Sequence, residues 1–116
     1  MNYNEDKFKI ISSIKKFILD SEKLFENVPK KDLFNREYFK ECEIQVLLLV
    51  YTANLTTDKA DKKAVQTEII ARLSIIDFLL ERAYVKKYIT EKKLYNYSKR
   101  LEEIIKMIKG WMKSIE

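Results

Sequence analysis

A chain of 116 residues with one glycine and one proline has almost nothing from which to build tight turns. Ordinary proteins carry about 7% Gly and 5% Pro, and β-hairpins depend on residues that tolerate positive φ at their turns. Sheets joined by hairpins are therefore disfavoured, and long uninterrupted helices remain. With 47% apolar and 35% charged residues the chain has material for both a core and a solvated face, which a disordered segment lacks. Its length predicts one domain spanning residues 1–116.

The apolar residues recur at helical spacing in four segments. The first runs from Asn4 to Asn27, with Phe8, Ile11, Ile14, Phe17, Ile18, Leu24, Phe25 and Val28 as its stripe and Asn4 as its cap. Val28-Pro29 ends it, because the residue before a proline is driven out of helical geometry. The second runs from Asp32, a candidate N-cap, to Asn54. Leu33, Phe34, Tyr38, Phe39, Cys42, Val46, Leu47, Val50 and Tyr51 mark its apolar face, and the run Val46 to Tyr51 is apolar all round, which predicts a helix buried from several sides. The third runs from Lys59 or Asp61 to Lys87, capped by Thr57 or Asp58, with Val65, Ile69, Leu73, Ile76, Leu80, Ala83 and Tyr84 inward. The fourth opens at Thr90 and carries Leu94, Tyr97, Leu101, Ile104, Ile105, Ile108, Trp111, Met112 and Ile115. Short connections make consecutive helices antiparallel, so the expected fold is all-α: an antiparallel up-down-up-down four-helix bundle.

Composition also limits the chemistry. The chain has no histidine, which removes Ser-His-Asp and Cys-His arrangements and imidazole metal sites. The di-metal carboxylate bundles need Glu-x-x-His pairs and fail on the same ground. One cysteine forms no internal disulfide or Cys-rich zinc site, and Cys42 lies on the apolar side of its helix, as a core residue does. Asp77, beside the stripe of the third helix, reads as half-buried and paired with Arg72 or Arg82, or as solvated. Trp111 reads as a core or interface anchor. No cofactor and no catalytic residue is expected. No apolar run approaches the roughly 20 residues of a membrane span, and a cytoplasmic protein is expected.

The net charge of +5 is local. Through Leu80 the chain has thirteen basic and thirteen acidic residues. From Glu81 to Arg100 it has seven basic residues, Arg82, Lys86, Lys87, Lys92, Lys93, Lys99 and Arg100, against Glu81 and Glu91. Tyr84, Tyr88, Tyr95 and Tyr97 interleave with them. Lysines that hold phosphates beside rings that stack on bases would give this pattern. A solvated helical hairpin with its tyrosines partly in the core would give it too.

Two motifs go further. One reads V-P-K-K at Val28 to Lys31, followed by N-R-E-Y-F-K-E-C at Asn35 to Cys42. The other, Leu101 to Trp111, reads L-x-E-I-x-x-M-I-x-G-W. Together they resemble the accessory variability determinant (Avd) proteins of diversity-generating retroelements. Those belong to a wider set of small four-helix-bundle proteins that includes the proteins encoded in 23S rRNA intervening sequences. The resemblance implies a non-catalytic, pentameric, positively charged accessory protein. Its partners would be a reverse transcriptase and template RNA, with DNA as a further ligand, in the service of mutagenic retrohoming. It places Arg36 in a family motif. The remaining candidate nucleic-acid residues, Lys40, Arg72, Arg82, Lys86, Lys87, Lys92, Lys93, Lys99 and Arg100, rest on charge. Gly110 would then let a neighbouring helix or subunit approach beside Trp111. An interaction protein of the intervening-sequence type, with another partner, is the alternative.

Overall fold

The computed structural model describes residues 3–115, with side chains from Lys9 onward, so the packing expected of Phe8 lies outside the described residues. The described residues form four long helices: α1 (Tyr3–Leu24), α2 (Phe39–Leu55), α3 (Lys59–Val85) and α4 (Glu91–Ile115). A π-helical turn, Phe34–Tyr38, runs directly into α2. Helices α1 and α3 each pack on α2 and α4, so the four surround one core in a body of 43 × 24 × 19 Å. No described helix is long and apolar enough to cross a membrane.

Each boundary has a local cause. Helix α1 includes Asn4, so Asn4 is not its cap. It stops at Leu24, three residues short of Asn27, and the chain turns through Val28, whose N–H donates to the Phe25 carbonyl. A second turn closes from Asp32 N–H to the Pro29 carbonyl. Asp58 caps α3 by accepting from Asp61 N–H at 2.9 Å, and Thr90 Oγ1 accepts from Lys93 N–H at the start of α4. Helix α3 ends at Val85 rather than Lys87, because Lys87 has φ 67° and leaves helical geometry.

The core comes from all four helices: Ile10, Ile14 and Phe17; Phe39, Val46 and Val50; Ile69, Leu73, Ile76 and Leu80; Leu101, Ile104, Ile108 and Trp111. Two expectations fail. Helix α2 is not buried from several sides: Phe39, Val46, Val50 and Ala53 face the core, while Ile44, Leu48, Tyr51 and Leu55 form an exposed stripe on the other side. Among the described residues α2 packs on α1, α3 and the π-helical turn that precedes it, so it covers one face and leaves the other. Tyr84, expected inward, is exposed. A third expectation concerned Gly110. It is exposed, and a Cβ built there meets nothing within 4 Å, so among the described residues no helix needs its missing side chain. Gly110→Ala is expected to raise stability by about 1 kcal/mol through helix propensity. A thermal melt checks it; a lowered midpoint would reveal a backbone packed on this face from outside the chain.

Buried polar groups are few. Glu43 is 4% exposed and sits among Ile14, Phe17, Ile18 and Val46. The Ser21 hydroxyl donates to the Ile18 carbonyl at 2.9 Å, and Ser21 Oγ lies 2.6 Å from Glu43 Oε2. One hydroxyl proton serves one acceptor, so a proton on Glu43 closes the second contact. Burial pushes this carboxyl up to about 8, with Glu22 adding to the rise and Ser21 and Lys40 opposing it. Burial likewise raises the half-buried Cys42 thiol, which suits a core cysteine.

Candidate nucleic-acid interface

The turn between α3 and α4 is built on Lys87. Lys87 N–H donates to the Tyr84 carbonyl and Tyr88 N–H reaches back to the Ala83 carbonyl at 2.8 Å. This paired closure is the Schellman ending of a helix, whose left-handed position ordinarily holds glycine. Here a lysine occupies it and is exposed. Lys86 precedes it, Ile89 plugs into the core, and α4 begins with exposed Lys92 and Lys93. Lys87 and Lys93 line a surface hollow of about 510 Å³ that also touches Asn27 at the end of the first segment.

A polar clasp ties this turn to the one after α1. Asp32, 9% exposed at its side chain, takes Arg82 Nη1 on both oxygens at 2.8 and 3.0 Å. It also accepts from the Tyr88 hydroxyl at 2.6 Å and, at a long 3.4 Å, from Asn35 N–H. Fully buried Asn35 donates to the Leu79 carbonyl at 2.7 Å and accepts from Arg82. Burial pushes the Asp32 carboxyl up, but the hydrogen bonds from Tyr88 and Arg82 outweigh it and hold the group below the usual carboxylate range. The same bond raises the Tyr88 phenol. The clasp's consequence is positional: exposed Lys30 and Lys31, in the turn after α1, share one end of the molecule with Lys86, Lys87, Lys92 and Lys93.

The ten candidate residues therefore separate. Lys86, Lys87, Lys92 and Lys93 are brought together. The four arginines are committed to contacts within the chain. Arg82 holds the clasp, and Arg36 donates to the Val28 carbonyl at 3.0 Å, closing the proline turn. Arg72 pairs with Glu68 one turn back, and Arg100 pairs with Asp20 at 3.0 Å between the Phe17 and Tyr97 rings. Lys40 is exposed on α2, and Lys99 lies on α4 over the exposed Tyr95 ring. Of the four tyrosines, Tyr88 and Tyr97 are tied inward, Tyr97 by donating to the Asp20 carbonyl. Half-buried Asp77 forms an ion pair with neither Arg72 nor Arg82, which pair with Glu68 and Asp32. Sequence reasoning missed Lys30 and Lys31, which lie some 50 residues from the charged window, and it placed Leu33, Phe34 and Tyr38 on the apolar face of the second helix, whereas all three are exposed in the π-helical turn and the residue before it.

Comparison with models of known families, with curated proteins and with solved structures finds no match.

Proposed function

We propose that this chain is a non-catalytic, cytoplasmic RNA-binding accessory protein of the accessory variability determinant type. In this reading it is an antiparallel up-down-up-down bundle that assembles into a homopentamer and presents its basic end to template RNA and a reverse transcriptase. The observation that carries the reading is the gathering of six exposed lysines, Lys30, Lys31, Lys86, Lys87, Lys92 and Lys93, from two turns onto one end. Clustered lysines attract a polyanion and release its counterions on binding. The proline-turn and closing-helix motifs support the family, and Arg36, the motif arginine, closes the proline turn. The antiparallel arrangement is supported by contacts between the start of one segment and the end of another: Asn35, just before α2, meets Leu79 and Arg82 near the end of α3, and Asp20, near the end of α1, meets Tyr97 and Arg100 near the start of α4. Assembly is supported by the apolar stripe of Ile44, Leu48, Tyr51 and Leu55, which none of the described helices covers.

Mobility-shift titrations against structured RNA over a salt series test the reading. Replacing Lys86, Lys87, Lys92 and Lys93 by Glu is expected to weaken binding at least 100-fold and to flatten the log–log salt slope by about 0.7 for each phosphate that is no longer neutralised. Unchanged affinity and slope would remove the basic end from the function. Light scattering is expected to give about five times the chain mass of 13.9 kDa; a monomer at high concentration would overturn the pentamer. A neighbouring reverse-transcriptase gene with imperfect paired repeats is the expected genomic setting.

A further inference from the structure

We propose that the exposed Phe34–Tyr38 ring pair is a stacking platform for an unpaired nucleobase, so that the basic end grips single-stranded rather than duplex RNA. This deepens the RNA-binding reading and rests on it.

Two aromatic rings on a surface need a reason. Phe34 is 53% exposed and Tyr38 45% exposed, although both belong to the π-helical turn that leads into α2. Their centroids lie 5.4 Å apart, edge to face. The Arg82 guanidinium lies 5.1 Å from the Phe34 centroid, and Arg82 is fixed by Asp32. Phe34 is thus held by a ring and a cation while about half of its surface stays in water. A ring immobilised before binding loses little side-chain entropy when a second flat group settles on it.

The surroundings choose the occupant. Phe34 forms one wall of a groove of about 380 Å³ shared with Pro29, Lys31, Asp32, Leu33, Arg82 and Tyr88, and the one carboxylate in it, Asp32, is paired with Arg82. That volume is in the range of small-ligand pockets, roughly 300–1,000 Å³. Lys31 and Arg82 line the groove itself, Lys30 adjoins Lys31 in sequence, and Lys86, the C-cap of α3, follows Arg82 by four positions, so cations lie on both segments that carry the groove. An apolar protein face would leave those lysines facing no counter-charge. A single strand supplies both halves: phosphates for the lysines and a π-face for the ring. A duplex keeps its bases within the stack and offers the ring nothing flat.

Fluorescence anisotropy decides it, using a labelled oligouridylate, an abasic phosphodiester strand of equal length and charge, and an RNA duplex. The wild-type protein is expected to bind the oligouridylate at least five-fold more tightly than either other probe. Phe34→Ala is expected to weaken oligouridylate binding by about 5- to 150-fold, the range that stacking of one base spans. It should leave abasic binding and the salt slope unchanged, and Phe34→Trp should restore the preference. Replacing Lys30 and Lys31 by Gln should weaken both single strands alike and reduce the slope. Thermal melts confirm that each variant is folded, as expected for exposed positions. Equal affinity of the wild type for base-bearing and abasic strands overturns the platform while leaving RNA binding intact. So does a Phe34→Ala variant that loses affinity for the base-bearing and the abasic strand by the same factor. A Phe34→Ala variant that keeps the base preference but falls in mass by light scattering makes the ring a protein contact and also overturns it. A wild type that binds no strand at all removes the RNA-binding reading together with the platform.

Discussion

Raising the pH from about 5 to about 8 is expected to cost the folded protein roughly 3 kcal/mol through Glu43. The carboxyl has a pKa of about 8 in the fold against a reference of 4.5. The folded state therefore holds this proton more tightly than the unfolded chain does. The stabilisation is fully present below about pH 4.5 and falls by about 1.4 kcal/mol per unit as the pH rises. It is gone once the pH has passed about 8. The physical cause is the apolar setting among Ile14, Phe17, Ile18 and Val46, which penalises a charge but accommodates a neutral acid bonded to Ser21. The chain lacks histidine, the side chain that ordinarily titrates across this window, so the effect stands clear of the usual background. Urea denaturation at several pH values measures it. Glu43→Gln keeps the shape and a donor for Ser21 but carries no titrating proton. It should be flat over the same range and more stable than the wild type at the alkaline end. A wild-type profile as flat as that of Glu43→Gln would show that the carboxyl ionises inside the fold without cost.

Replacing Asp32 by Ala is expected to destabilise the protein by about 3 kcal/mol, the lower end of what breaking a buried ion pair costs. Asp32 and Arg82 are 9% and 24% exposed at their side chains, so some of the loss is recovered as water reaches the guanidinium. What remains is a cation with Asn35 as its polar partner and a Tyr88 hydroxyl without its acceptor. Removing both charges with Asp32→Ala and Arg82→Met should cost less than Asp32→Ala alone, because no uncompensated charge is left inside. Chemical denaturation of the two single variants and the double variant gives the coupling directly. An Asp32→Ala protein within about 0.5 kcal/mol of wild type would mean that the clasp is decoration.

The helices could be read from the chain because their causes are local. Proline after Val28, Asp58 before α3, Thr90 before α4 and the three-four spacing of Leu101, Ile104, Ile108 and Trp111 act within a turn or two of themselves. The errors lie where the cause is distant. Nothing near Asn35 says that the Leu79 carbonyl awaits it, and nothing near Glu43 says that Ser21 faces it across 22 residues. Apolar composition around α2 says that water is disfavoured there, not which side a neighbour covers. The basic window at Glu81 to Arg100 located four of the six lysines of the basic end. The other two, Lys30 and Lys31, lie in a turn some 50 residues away, and a charge count along the chain does not say which turns meet. The arginines look like ligand-binding charge in a sequence count. Only the fold shows Arg36, Arg72, Arg82 and Arg100 holding the chain to itself.

The clasp also has a place in time. Its bonds join residues 50 and 56 positions apart, whereas the helical contacts that begin the fold lie within a few residues of one another. Closing so long a loop draws on chain entropy before any of these bonds can return it. The Asp32 contacts are accordingly expected to form after the helices have met, and a φ-value near zero for Asp32→Ala checks this. A bond made after the transition state leaves the folding rate alone and governs how long the native state lasts. The two turns that carry the lysines would then be fastened by a late latch, and the lifetime of the basic end would be set by how rarely Asp32 lets go.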